Sequence, residues 1–542
     1  MKLPEMPTLA DGFYKVGSSA HFYVCADDAG GEDMFESILF SSGIASHKPP
    51  MEEPGCLHDL NLDQLVERLA SGDQLHLRAF WHAPLDAVDV IHYRHEVMRD
   101  LERDAVFQAI EAFGRGMEAV RADLKQVDNM YYRRQQQGWH LEAVKAYLRA
   151  VQSFAAELSQ VTLTSRGLKE MRAYIMDYVG SERFRTLSAD TKGVSHELDA
   201  LVYHVDIKGT TVVVREPDEE IDYREAVEEV FARFRHAPSK DFRVKFSHSA
   251  AMNHVEAEIL EGVARLYPQP FAMLDAYDQR YRGRFMDGTI VRFDREIQFY
   301  TTYRTLMSRI ARMGLSFCYP EIAVDDKAVF ALDAFDVMLA DKLSFGGTPP
   351  VPNDFRLEGP ERILVVSGPN QGGKTTFARM VGQLHYLAKL GLPVPGRKAR
   401  LYLCDQILTH FEREEDPAAL RGKLGDDLAR IHAIMSQAGP SSLVVLNEIF
   451  ASTALKDATY LGRKIIEQIM ERDMLAVIVT FIEEWASLSR STVSLVSSVN
   501  PEDPTVRTFK IVRRLPDGRS YAMTLAEKYG LTYDRIRGRV AP

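Results

Sequence analysis

Arg362-Ile363-Leu364-Val365-Val366-Ser367, followed by Gly368-Pro369-Asn370-Gln371-Gly372-Gly373-Lys374-Thr375-Thr376, decides how the C-terminal third of this 542-residue chain is read. The first six residues form a short apolar run of the kind that makes a buried strand. The next nine fit GxxxxGK[ST] without a gap, and residues 375–390 after them carry the pattern of a helix. Glycines at this junction let successive backbone N–H groups turn inward around an anion, and the helix N-terminus adds the positive end of its dipole. In such a loop Lys374 reaches the β- and γ-phosphates of ATP, and the Thr375 hydroxyl ligates Mg²⁺. The competing reading is a chance match in a glycine-rich turn, which a strand before it and a helix after it make hard to sustain.

Working outward, residues 442–446 (Ser-Leu-Val-Val-Leu) read as a second buried strand that ends in Asn447-Glu448. A helix over 460–471 and a third strand over 475–480 follow. Strands alternating with helices predict an α/β domain with a largely parallel sheet. Glu448 stands at a strand end, where a carboxylate beside the γ-phosphate polarises the attacking water. A solvated strand-end carboxylate is the plainer alternative. Asn447 occupies the position where an Asp is expected to hold Mg²⁺ through its waters. Its amide accepts a hydrogen bond but brings no charge.

The rest of the chain is different in character. Residues 1–55 are rich in Gly, Pro, Ser and acidic residues around the apolar piece Phe35-Glu36-Ser37-Ile38-Leu39-Phe40, which predicts a loosely ordered or separately docked extension. From about Leu60 to Leu198 the pattern is helical, with Leu62, Leu65, Val66 and Leu69, and again Phe107, Ile110, Phe113 and Met117, at helical spacing. Thr210 to Val214 read as a strand, and helices return over 223–234, 253–267 and 295–313. Composition is that of a soluble protein, 46% hydrophobic and 26% charged, without an apolar run near the roughly 20 residues that span a bilayer. Four scattered cysteines without CxxC spacing argue against a disulfide framework or a zinc site and fit a reducing cytoplasm. The net charge of −11 advertises no nucleic acid, so any such contact needs local basic patches.

The residues quoted so far resemble those of the MutS mismatch-repair ATPases. Gly368-Pro369-Asn370-x-Gly372-Gly373-Lys374-Thr375-Thr376 is similar to that family's GPNxxGKST loop, and Val351-Pro352-Asn353-Asp354 to its approach to the first strand. Residues 447–457 line up with its DEIGRGTS-type segment, and 509–537 resemble the end of its ATPase domain. Trp81-x2-Pro84-Leu85 and Ile91-x2-Arg94 resemble the start of its core and lever. The resemblance covers about residues 60–540. It implies a multidomain chain: an extension (1–55), an elongated α-helical core/lever domain with a small β-containing insertion (56–325), and an α/β P-loop ATPase of ABC type (326–542). It also implies a homodimer through the ATPase domains, with two nucleotides sandwiched between subunits and levers that carry ATP state to DNA. The family's mismatch-reading and connector domains have no counterpart in this reading, nor does its C-terminal dimer clasp, so mismatch recognition is not expected.

Inside the ATPase the departures matter as much. The family's switch histidine falls on Phe481, its signature-loop serine on Gly422, and its adenine-stacking aromatic on Pro350. Backbone N–H groups at the helix start beside Gly422, with charge from Lys423, still offer a phosphate contact in trans. Losing a histidine and a carboxylate slows hydrolysis more than binding, which predicts tight ATP binding and slow turnover. Lys240, Arg243 and Lys245, and Arg280, Arg282 and Arg284, are candidate DNA-phosphate contacts, although charged residues also simply decorate solvated helices. Tyr131, Tyr132 and Trp139 could stack on bases, with core packing as the alternative. Three functions stay open: a DNA-binding ATPase acting on branched or recombining DNA, a nucleotide-switched partner of another protein without DNA, and a small-molecule phosphotransferase.

Overall fold

The computed structural model describes residues 35–41, 53–70, 75–209, 211–217, 252–412, 423–500, 506–515, 531–533 and 536–537. The predicted helix at 223–234 and the candidate contacts Lys240, Arg243, Lys245 and Gly422 lie outside these residues. The chain divides into two compact units, one built from Ala105–Leu163 and Lys169–Asp294, the other from Glu36–Asp104, Thr164–Leu168 and Arg295–Pro542. Among the described residues no helix is long and apolar enough to cross a membrane.

In the first unit, helix Asp104–Asn129 is followed by Arg133–Gln160. Gly116 lets the two backbones close up, since a Cβ there would sit 2.6 Å from that of Ala150. The expected apolar stripe of Phe107, Ile110, Phe113 and Met117 is buried. Phe113 stacks on Phe154 at 4.3 Å, and Phe154 on Phe293 at 5.6 Å. The expected strand is present as Thr211–Arg215, paired antiparallel with His204–Lys208. Helix His254–Leu266 starts where Asn253 and Glu256 form a reciprocal capping box, which satisfies N–H groups that the first turn leaves without partners.

The second unit carries the sheet that the sequence announced. Its strands are β1 (Ile363–Ser367), β2 (Ile407–His410), β3 (Leu443–Asn447), β4 (Leu475–Val479), β5 (Thr492–Val499) and β6 (Arg507–Arg513). Their order is β2-β3-β4-β1-β5-β6, with all neighbours parallel except the β5–β6 pair at one edge. Every residue of β1, β3 and β4 is buried, as a parallel sheet covered on both faces requires. Helices α1 (Lys374–Lys389), α2 (Lys423–Gln437) and α3 (Leu455–Glu471) accompany it. Ile363, Val365, Val444, Leu446, Ala476 and Ile478 share one core cluster with Ile431, Ile466 and Trp485. A smaller mixed sheet joins Glu321–Ala323, Lys398–Tyr402, Val329–Ala334 and Asn353–Leu357.

Two further stretches group with the sheet-bearing unit. Residues 56–104 and 295–325, grouped with the helical region by their periodicity, belong to the unit that holds the sheet. The segment from Ser37 to Leu39, within the stretch read as a loosely ordered or separately docked extension, is buried in that same unit. Its backbone is held by side chains throughout: the Tyr93 and Tyr300 hydroxyls donate to Ser37 O and Ile38 O, and Arg94 Nε to Leu39 O. Glu296 accepts from Ser37 Oγ and from the Ile38 N–H.

Candidate nucleotide-binding site

β1 ends at Ser367, and the chain then turns through Gly368 (φ 117°), Gln371 (φ 60°) and Gly373 (φ 87°) into α1. Positive φ favours glycine because it has no Cβ, and Gly373 is the N-cap of the helix. The loop leans on β5. A Cβ on Gly368 would lie 3.1 Å from Ser497 N, and one on Gly372 would lie 2.2 Å from Ser497 Oγ. That hydroxyl donates to Gly372 O at 2.7 Å.

Lys374 is buried, and its ammonium is wrapped by the loop. It donates to Gly368 O at 3.0 Å, Pro369 O at 3.2 Å and Asn370 Oδ1 at 3.2 Å, with Glu448 Oε1 4.0 Å away. Burial lowers its pKa below the ordinary lysine value, Glu448 opposes that shift, and Arg507 adds to it. An ammonium so desolvated gains when an anion comes beside it.

Asn447 closes β3 opposite Val479 on β4, whose own partner on β1 is Val366, so the strand end stands level with the start of the loop. The Asn447 side chain is buried, and its Oδ1 has no hydrogen-bond partner. Glu448 follows at φ 52° and Phe450 at φ 60°, a left-handed pair that bends the chain directly after the strand. Non-glycine residues in this region cost about 1–3 kcal/mol each, and the surrounding structure must hold them. Here the Glu448 N–H donates to Val479 O at 2.9 Å. The Glu448 carboxylate keeps 30% of its exposure, enough to meet a water.

These residues fit a magnesium polyphosphate. Gly372 lies where any side chain would collide, Gly368 is held close to Ser497 at a positive φ, Lys374 is a buried cation, and the Asn447 amide oxygen is an acceptor for which a metal-bound water is a suitable donor. Thr375 and Thr376 begin α1, both partly exposed. Asn353 braces the far wall: its Nδ2 donates to Phe509 O at 3.1 Å, and its Oδ1 accepts from the Ile511 N–H at 2.7 Å. Phe509 itself lies about 4 Å from the Cβ position of Gly373.

The other expected residues fall in varied places. Phe481 follows β4 and is 49% exposed, with no imidazole at that position, and Pro350 is buried. Lys423 is the first residue of α2. In the other unit, Arg280 is paired with Asp190 at 2.9 Å and Arg282 with Asp278 at 3.0 Å, while Arg183 donates to Arg284 O. Tyr131 is 89% exposed, which removes core packing as its explanation, whereas Trp139 is half-buried. Ser497 escaped the sequence reading. Its one signal is Val496, which breaks the alternation that Val493 and Leu495 set up in β5.

The family model for MutS domain V matches residues 364–537. The DNA mismatch repair protein MutS of Granulibacter bethesdensis is 32% identical over 165 residues, 30% of this chain and 18% of that protein. Endonuclease MutS2 of Thermomicrobium roseum is 33% identical over 189 residues, 34% of this chain and 24% of that protein. The DNA mismatch repair protein MutS of Clostridium kluyveri is 27% identical over 241 residues, 43% of this chain and 27% of that protein. The chain thus spans between 18% and 27% of the length of these relatives. The loop, the strand order and these matches agree: residues 364–537 are similar to MutS domain V, the part of the chain in which the likeness to MutS and MutS2 proteins lies.

Proposed function

We propose that this chain binds ATP with Mg²⁺ and hydrolyses it slowly in a nucleotide-gated homodimer that acts on DNA, on branched or recombining structures rather than mismatches, in the cytoplasm. The observation that carries the reading is Lys374, buried within the loop and 4.0 Å from the carboxylate of Glu448. In this reading Lys374 and the loop N–H groups neutralise the phosphates, and Thr375 and Asn447 hold the metal. Mg²⁺ supplies Lewis-acid charge at the transferring phosphoryl group. Glu448 orients the attacking water and draws on its proton. Gly422 and Lys423 would meet the partner's nucleotide. Asn447 and Phe481 support slow turnover, because charge and a hydrogen-bonding ring are missing where the phosphoryl group is transferred.

Hydrolysis and oligomeric state of the wild type, Lys374→Ala and Glu448→Ala test it. Lys374→Ala is expected to abolish ATP binding, and Glu448→Ala to bind ATP and accumulate as a locked dimer. Wild-type turnover by Glu448→Ala would remove Glu448 from the reaction. The DNA part is tested separately by binding to duplex, branched and single-stranded DNA across ionic strength, where phosphate contacts give a steep salt dependence. No binding at low salt would favour a second reading, a nucleotide switch that controls a protein partner. The ion pairs that engage Arg280 and Arg282 support that alternative.

A further inference from the structure

β5 runs beside β1 in regular parallel register, Val496 opposite Ser367, but its pairing with β6 slips between Ser497 and Val499. Irregularities of this kind re-aim a side chain beside functional sites. The residue at the slip is Ser497, fully buried, whose hydroxyl donates to Gly372 O at 2.7 Å and whose backbone packs against Gly368. It therefore touches both ends of the glycine loop.

No peptide in the described chain is cis, so the Gly372 carbonyl and the Gly373 N–H lie on opposite sides of one planar unit. A donor that holds the carbonyl toward β5 holds the following N–H away from β5. Gly373, at φ 87° with no Cβ to restrict it, would otherwise leave that peptide plane loosely defined. We infer that Ser497 is a positioning residue of the nucleotide site: its hydroxyl presets the Gly372–Gly373 peptide so that the Gly373 N–H faces the phosphates before they arrive. Preorganised N–H groups bind an anion without the cost of ordering them at that moment. The inference rests on the ATP-binding reading above.

Ser494 provides an internal control. It lies on the same strand, is buried, and its hydroxyl has no hydrogen-bond partner. The experiment compares wild type, Ser497→Ala, Ser497→Cys and Ser494→Ala in the full chain. It measures the ATP dissociation constant with Mg²⁺, the turnover at saturating ATP, and the melting temperature without nucleotide. Ser497→Ala is expected to weaken ATP binding about fivefold, the scale of one hydrogen bond. Turnover at saturation should stay within about twofold, because an interaction equal in ground and transition states moves affinity alone. Ser497→Cys, which keeps the volume with a weak donor, should fall between and stands in if the alanine variant does not fold. Ser494→Ala should bind as wild type. Wild-type affinity in Ser497→Ala, or an equal loss in Ser494→Ala, overturns the inference. Absence of ATP binding by the wild type instead overturns the reading it rests on.

Discussion

In the proposed site, Asn447 would trade metal affinity against stability. A carboxylate there would bring a full charge to the Mg²⁺ shell, but the side chain is buried and its oxygen lacks a donor, so that charge would be costly whenever no metal balances it. Asn447→Asp is therefore expected to lower the Mg²⁺ concentration that half-saturates hydrolysis and to raise turnover at limiting Mg²⁺ by about tenfold or more. The same variant should melt lower than wild type in a chelator. Mg²⁺ dependence and melting both unchanged would place Asn447 away from the metal. Residues of this kind were legible because the strand Ser442 to Leu446 and the two polar residues closing it form a recognisable sequence. Ser497 was not, because its role depends on a register slip between β5 and β6, which no local composition records. The left-handed backbone at Gln371 and Glu448 was equally hidden, since neither is a glycine.

At the scale of elements, β1, β3 and β4 and the helices α1 and α3 fell close to where the sequence pattern put them, β2, β5, β6 and α2 went unread, and α3 shows what periodicity leaves out. Gly462 sits in the middle of α3, where helix propensity alone favours alanine by about 1 kcal/mol. A Cβ there would lie 1.9 Å from Trp485 Cζ2, and Trp485 is fully buried in the turn after β4. Forcing a methyl into a packed contact of this kind costs about 1–3 kcal/mol, so sterics outweigh propensity. Gly462→Ala is expected to destabilise the sheet-bearing unit in thermal or urea unfolding. Trp485→Phe in the same chain should recover part of the loss, because the two changes act on one contact. A neutral or stabilising Gly462→Ala would mean that α3 and Trp485 move apart freely. The short strands of the smaller sheet, three to six residues each, were illegible because so few positions carry no period.

For the molecule as a whole, the helical pattern of residues 56–104 told that they are helices and not what they pack on, so the domain edges drawn from sequence and the compact units differ. Ser37 to Leu39 carry the consequence. Arg94, itself fully buried, donates to Leu39 O at 3.1 Å and to Leu390 O, at the end of α1, at 2.8 Å. Its guanidinium lies over Phe40 and Phe299. One buried cation thus ties this segment to the helix that begins at the glycine loop, and removing the segment would take one or more hydrogen bonds from each of Arg94, Tyr93, Tyr300 and Glu296. Ile38 is fully buried, with its Cδ1 2.8 Å from where a Gly167 Cβ would lie. Truncating it deletes packing without touching any of these hydrogen bonds. Ile38→Ala is expected to cost about 2–5 kcal/mol and to appear as a lower melting temperature of the unit that contains the nucleotide site. With ATP binding the folded unit as proposed, saturating ATP should restore part of that melting temperature. If Ile38→Ala melts as wild type does, the packing of this segment against the unit carries no stability.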